Sequence, residues 1–400
     1  MKKLLVLCLL GLAAVLAKEA GVFAILKSTV VLGKQSEGVF LLPTSQLLHP
    51  WGTRTAFPGR PVDLAFDSRK RLVAILNMTS ILLMDAATGT RVGEVLSDPT
   101  SYAGVAFRPG DRQLWASETS LRGPDAILVA ELSELGKPGE VKDIIIDGHP
   151  VPAGIAFAQD GATVYVAFSR NNSLAVIDAN RRRVVREIPV GIAPFGVAVG
   201  KNGFVYVTNR GGRRPLPGDN VAPSSGSQVV TDPITGAATS GTISIVNPQT
   251  QEVREVAVGK APSGLALSPD EKTLAVANGH SDSVSLIDTQ TLRVTDIKIP
   301  DYPQGTFGSQ PISVAFAPDG KTLYVACGGT NSIAVVRTAK AAVLGAIPTA
   351  SFPSALTIGA DGSLFIVNIR GTGNTSDGKG NFNSKQYEGV FEKIAAPSAP

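Results

Sequence analysis

Apolar residues in this chain fall in short runs, broken at close intervals by Gly, Pro, Asn and Asp, which is a rhythm of strands and turns. Seven runs open alike: PVDLAF from Pro61, YAGVAF from Tyr102, PAGIAF from Pro152, PFGVAV from Pro194, PSGLAL from Pro262, PISVAF from Pro311 and PSALTI from Pro353. Their starts are 41, 50, 42, 68, 49 and 42 residues apart, so the bare unit is 42 residues long and the longer intervals carry insertions. Each start leads to a tight turn, as at Asp160-Gly161, Asn202-Gly203, Asp319-Gly320 and Asp361-Gly362. Such dipeptides suit the positive φ angles of hairpins. A second strand follows (VYVAF from Val164, VYVTN from Val205, LYVAC from Leu323), then a third (SLAVID from Ser173, SVSLID from Ser283) and a shorter, more polar fourth (RVVREI from Arg183, RVTDIK from Arg293).

Four short strands per unit, repeated seven times, predict an all-β, seven-bladed β-propeller built of four-stranded antiparallel blades. β-branched and aromatic residues alternate with small ones in the second and third strands, which fits strands packed between neighbouring blades. A leucine-rich solenoid would need a shorter repeat with a Leu/Asn ladder, and a parallel β-helix would lack the hairpin turns. The last unit lacks a fourth strand. The segment 38–56, with its spare strand pair VFLLP and SQLLHPW, is expected to complete it and remove an exposed sheet edge. The expected organisation is 1–17 signal peptide, 18–37 linker, 38–396 propeller and 397–400 tail.

Composition narrows the function classes. The 42 Gly and 27 Pro argue against a helix-rich protein, and 18% charged residues against a disordered one. Two Cys exclude a disulfide framework and multi-Cys metal sites. Residues 1–17 join Lys2 and Lys3 to an apolar stretch from Leu4 to Leu16 and a small-residue site at Ala17. This is the pattern of an export signal, too short to span a bilayer, and it places the mature chain in the periplasm or outside the cell. Its removal would lower the formal charge from +4 to +2, which is weak for nucleic-acid binding. No other segment reads as a membrane span, and the mature protein is expected to be monomeric.

The literal YVTN at Tyr206–Asn209, the Pro-x-Gly-x-Ala starts, the turns SPDEKTL and APDGKTL, and the Ser-x-x-x-Ile-Asp strands resemble the YVTN (YncE-like) β-propeller repeat family. The resemblance covers almost the whole mature chain and implies fold more than function. The insertion from Asn209 to Thr242 resembles one found in exported bacterial proteins that join such a propeller to an alkaline-phosphatase-type phosphoesterase. That likeness implies a phosphoesterase domain as a partner. The phosphoesterase's metal-binding residues are not present in this sequence, so its activity is not carried over.

Loops between second and third strands, and between a fourth strand and the next first strand, open on one face. Insertions 119–125, 210–241, 301–310 and 371–388 all lie in those two loop classes, which marks that face for binding. The same face carries Arg170, Asn209, Arg210, Asn278, His280, Asn368 and Arg370, with Arg213 and Arg214 in the long insertion. Asn209, Asn278 and Asn368 also suit turn capping. The arginines have no such local duty, and guanidinium groups round a mouth suit a carboxylate or phosphate. The insertion itself has too little apolar content to build a core, and is expected to fold back over the channel entrance.

No CxxCH, GxSxG, P-loop or HExxH is present. His49, His149 and His280 lie in separate places, and Asp377, Asn381 and Asn383 lack EF-hand spacing. The expected function is therefore an exported, non-catalytic binding or scaffold module without cofactor or metal. It would take a protein partner or small anionic ligand on the inserted face. The alternatives are the propeller half of a phosphoesterase system, or a metal-dependent lactonase-like hydrolase with its site in the channel.

Overall fold

The computed structural model describes residues 32–397 except 68, 70, 98, 121–122, 225, 302–307 and 374–387. The expected signal peptide, much of the linker and the Asp377–Asn383 segment lie outside the described residues. Among those described there is no α-helix and one short 3-10 turn, Thr338–Lys340. Seven four-stranded antiparallel sheets follow one another along the chain, each running from an inner strand outward. The strands that are buried almost throughout are the two middle ones, such as Leu72–Leu76 and Ser80–Asp85, because each faces a neighbouring blade on both sides. Fourth strands such as Arg183–Pro189 have one flank in water and alternate accordingly.

The period-2 geometry of a strand sends successive side chains to opposite neighbours. In the third blade, Val164, Val166, Ala175 and Ile177 pack toward the second blade with Trp115 and Ile127. Their sequence neighbours Tyr165, Leu174 and Val176 pack toward the fourth with Val205 and Val207. Seven such apolar clusters join successive blades, and the seventh returns from Phe365, Val367 and Phe391 to Leu64, Val73 and Met84 of the first blade. The packing is thus a closed ring.

Thr53–Pro58 supplies the missing strand of the last blade, pairing antiparallel with Glu388–Ile394. An N-terminal strand does finish that blade, but the spare pair in 38–56 does not supply it. Val39–Leu41 and Leu47–Leu48 join Gly33–Ser36 in a separate three-stranded sheet. Gln46 fastens this sheet to the sixth blade through Gly329 O and Asn331. The closing strand lies just beyond, where Phe57 can enter the seam between last and first blades.

A recurrent contact ties the blades at one end of the channel. Val151, Ala193, Gln310 and Phe352, at or just before the start of an inner strand, adopt left-handed backbone with φ of 54°, 52°, 49° and 62°. This conformation is unfavourable for a residue with a side chain, most of all for a β-branched one. In each case the backbone N–H is held by a carboxyl or carboxamide oxygen of the preceding blade, from the residue just before or at the start of its third strand. Asp125 Oδ2 accepts from Val151 at 2.8 Å, Asn172 from Ala193 at 2.8 Å, Asp282 from Gln310 at 2.9 Å and Asn331 from Phe352 at 2.8 Å. Close approach of the inner strands then demands glycine: a Cβ on Gly154 would lie 2.5 Å from Phe195 O, and one on Gly196 2.6 Å from Ser263 O.

Two outcomes follow from this packing. Asn331→Ala orphans the Phe352 N–H and leaves its backbone strain uncompensated, so urea unfolding should report a loss of about 1–3 kcal/mol. An unchanged midpoint would show that the latch contributes nothing. Glu392 lies wholly buried beside the closing strand, with Oε2 accepting from Ala350 N at 3.0 Å and Asn368 Nδ2 at 3.1 Å. Burial pushes its pKa from 4.5 up to about 7. The folded chain therefore holds this proton where the unfolded chain has released it. The contribution of Glu392 is complete below about pH 4.5 and lost as pH rises through about 7. In that window wild type should lose stability relative to Glu392→Gln, by up to about 1.4 kcal/mol per pH unit. Parallel stability–pH curves for the two proteins would contradict this.

Candidate functional site

The latched residues line the rim of the channel, and two adjoining cavities meet there. The first, of ≈ 560 Å³, runs down the channel between the inner strands. The second, of ≈ 410 Å³, lies between the rim and the long insertion. Tyr102, Phe195, Arg210, Ala261 and His280 line both. The insertion roofs the second cavity with Ala222, Pro223 and Ser224 on one side and Gly236, Ala237 and Ala238 on the other.

The roof is ordered by contacts it makes with the propeller. Val221–Ser224 and Ser227–Val230 form a hairpin. Val229 packs on Ile192 and Ala193 of the inner strand and on Ala238. Ser227 Oγ donates to Asn172 Oδ1 at 3.0 Å, so the same asparagine that latches Ala193 also seats the hairpin. The insertion thus borrows apolar surface from the propeller in place of a core of its own. Its branch point is Val205–Gly212, a second strand that runs past Asn209 into the insertion and pairs Gly212 with Ile192.

Arg210 is the charged centre of the mouth. Its guanidinium sits 4.8 Å above the Phe195 ring. Its surface opens to the cavity, yet the surrounding protein mass lowers its pKa by desolvation, and no carboxylate among the described residues pairs with it. An arginine stays charged in such a place, so the mouth carries an uncompensated positive charge. His280 shares both cavities. Burial first, then the charge of Arg210, hold its pKa below the usual imidazole value, so it is neutral at pH 7 and available as a hydrogen-bonding group. Arg370 repeats the stacking at 5.0 Å over Phe352, whose ring also lines the channel.

The residues expected from the sequence separate into three sets. Arg210 and His280 come together at the mouth, and Arg370 stands beside it. Asn209, Asn278 and Asn368 do not reach either cavity: each is 0% exposed and bonded inside its own sheet. Asn209 Nδ2 donates to Thr242 and Ser244, Asn278 Nδ2 to Ser283 and Ser285, and Asn368 Nδ2 to Glu392. These three are corrected to framework residues, because their side chains are buried and bonded inside their own sheets. Arg170, Arg213 and Arg214 support the insertion. Arg170 runs beside Gly226, whose φ of +88° and missing side chain make room for it. Arg213 grips Asp219 with two bonds of 2.7 and 2.8 Å, which hold the Asp219 carboxyl at about 2. Arg214 donates to Val190 O at 2.8 Å.

The mouth also contains Tyr102, Phe195, Arg60 and Asp63, which the reading above passed over. The repeat itself carried the signal. Tyr102 stands where the other six starts have Pro, and Asp63 where they have Gly, Ser or Ala. Tyr102 is 65% exposed, the state of an aromatic ring left for a ligand.

Two other features were weighed. A groove of ≈ 880 Å³ outside the ring is larger than either mouth cavity. It is lined by Trp51, Tyr324, Leu344 and Ile347, and its carboxylates Asp319 and Asp361 are taken up by turn N–H groups. No group of three or more His, Cys, Asp or Glu among the described residues is placed to hold a metal ion.

Residues 220–376 match the model of the YNCE-like beta-propeller family. Among solved structures, the chain is similar to Kuenenia stuttgartiensis hydrazine synthase, with a TM-score of 0.62 and 18% identity over 79% of this chain and 94% of that one. At that identity the likeness shows the fold alone. None of the curated proteins compared with the chain matches it.

The docking of the roof can be tested directly. Val229→Asp places a charge against Ile192 and Ala193 and should release the hairpin. Limited proteolysis read by mass spectrometry should then find new cuts within 211–241, with the propeller itself still resistant. Unchanged resistance of the insertion would contradict the contacts described.

Proposed function

We propose that this β-propeller, whose residues 220–376 match the YNCE-like family model, is an exported, non-catalytic binding module that takes a small anionic ligand at the channel mouth, beneath the long insertion. The observation that carries this reading is Arg210, a guanidinium supported on Phe195 beneath the insertion that no carboxylate among the described residues pairs with. A charge kept there without a partner costs solvation energy and returns nothing to the fold. It returns affinity when a carboxylate or phosphate completes it. Tyr102 and Phe195 offer flat apolar walls for the rest of the ligand. The pattern of Lys2, Lys3 and Leu4–Leu16 supports export to the periplasm or beyond.

A small ligand is favoured over a phosphoesterase domain or other protein partner. Arg213 and Arg214, which such a partner would use, are occupied by Asp219 and Val190 O. A lactonase-like hydrolase lacks a ligand cluster for its metal among the described residues.

Phenyl phosphate and benzoate are suitable probes, each combining an anion with a flat apolar body. Calorimetric titration should detect both in wild type, and Arg210→Gln should weaken them about tenfold or more with an unchanged melting temperature. Equal binding by the variant, or none by wild type, would overturn the reading.

A further inference from the structure

Asp63 is the feature of the mouth that anion binding leaves unexplained. It is the third residue of its inner-strand motif, a position held by Gly104, Gly154, Gly196, Gly264, Ser313 and Ala355 in the other six units. Those residues are small because the inner strands crowd one another. Asp63 lines the same channel cavity as Arg210, His280 and Tyr102, and is the only carboxylate among the described residues lining it. Its Oδ1 accepts from Leu64 N at 2.8 Å and its Oδ2 from Gly104 N of the next blade at 2.8 Å. These bonds fix the carboxylate in place, and each oxygen keeps a second lone pair for another donor.

The bridge to Gly104 does not require a charge. Elsewhere in the ring a hydroxyl makes the same kind of contact between blades: Ser313 Oγ accepts from Leu356 N at 3.3 Å. A serine at position 63 would bridge as well without the cost of desolvating an acid. That cost is visible: burial lifts the Asp63 pKa to about 6, opposed by backbone N–H groups and by no neighbouring cation. Arg60 lines the same cavity without neutralising it. An acid that the framework does not need, in a cavity whose other end carries an unpaired guanidinium, is a complement to something absent from the protein itself.

We infer that Asp63 is the inner anchor of the mouth site, binding an ammonium group, and that the ligand is a zwitterion whose acidic end meets Arg210 and whose amine end meets Asp63. The inference rests on the mouth reading above and specifies its ligand class: a compound with a carboxylate or phosphate and a primary amine at opposite ends of an apolar spacer. Ionised Asp63 and ionised Arg210 at two places in one cavity select for charge order as well as for charge.

Two length-matched series test it at pH 8, where Asp63 is ionised. One is 4-aminobutanoate, 6-aminohexanoate and 8-aminooctanoate; the other is butanoate, hexanoate and octanoate. Calorimetry on the full-length mature chain should find at least one amino acid bound about tenfold tighter than its plain carboxylate. Asp63→Asn should abolish that preference without weakening the plain carboxylate. Asp63→Ser, which retains an acceptor for Gly104, should do the same and guards against a folding defect in the first variant. If carboxylates bind through Arg210 and the amine adds nothing, or if the preference survives both substitutions, this inference falls and the mouth reading stands. If neither series binds, or if Arg210→Gln is without effect, the mouth reading falls and this inference with it.

Discussion

The arrangement rests on a backbone constraint repeated round the ring. A residue that has every reason to avoid left-handed backbone is held there, at or just before the start of an inner strand, by an Asx oxygen from the blade before it. Each latch spans two blades, so it fixes how far they rotate against one another about the channel. It also fixes what stands at the rim, since Val151, Ala193, Gln310 and Phe352 all line the mouth cavities. Strain of about 1–2 kcal/mol per residue persists because the surrounding structure overdetermines it. Apolar packing closes the ring, while the latches determine the shape of its opening.

The long insertion interrupts this pattern within the fourth blade, between its second and third strands, and adopts part of it. Asn172 latches Ala193 and receives Ser227 from the insertion hairpin, so roof and rim are positioned by one side chain. The mouth is consequently built on rigid strands at its floor and on a docked hairpin above. Within it the charges are sparse and unpaired, in contrast to the outer surface, where Arg112 with Glu134 and Arg181 with Asp178 form ordinary exposed pairs of little energetic weight.

The fold was legible because a repeat states its own period. Strand order, blade composition and the all-β class followed from the seven starts and the hairpin dipeptides. That an N-terminal strand closes the ring was legible, but not which one: VFLLP and SQLLHPW look more strand-like than Thr53–Pro58, and sequence pattern does not say which candidate can reach the seam beside Phe391. At the site, face and loop class pointed to Arg210 and His280. The three asparagines were misassigned because strand ends look alike whether the final side chain faces the pleat or the opening. The latches had a signal that went unread: Asn172-Ser173, Asp282-Ser283 and Asn331-Ser332 all place an Asx just before the third strand. Asp63 and Tyr102 were legible too, as departures from the repeat. Comparing each unit with the average of the others finds the residues that the framework does not require.

The central claim is that the opening beneath the insertion, centred on Arg210, is where this propeller meets its ligand. A crystal structure of the mature protein grown with phenyl phosphate tests it most directly. The account predicts the phosphate on the Arg210 guanidinium, with the ring against Tyr102 or Phe195 and the hairpin of 221–230 above it. A mouth without the probe, and the probe seated in the outer groove beside Trp51, would contradict it.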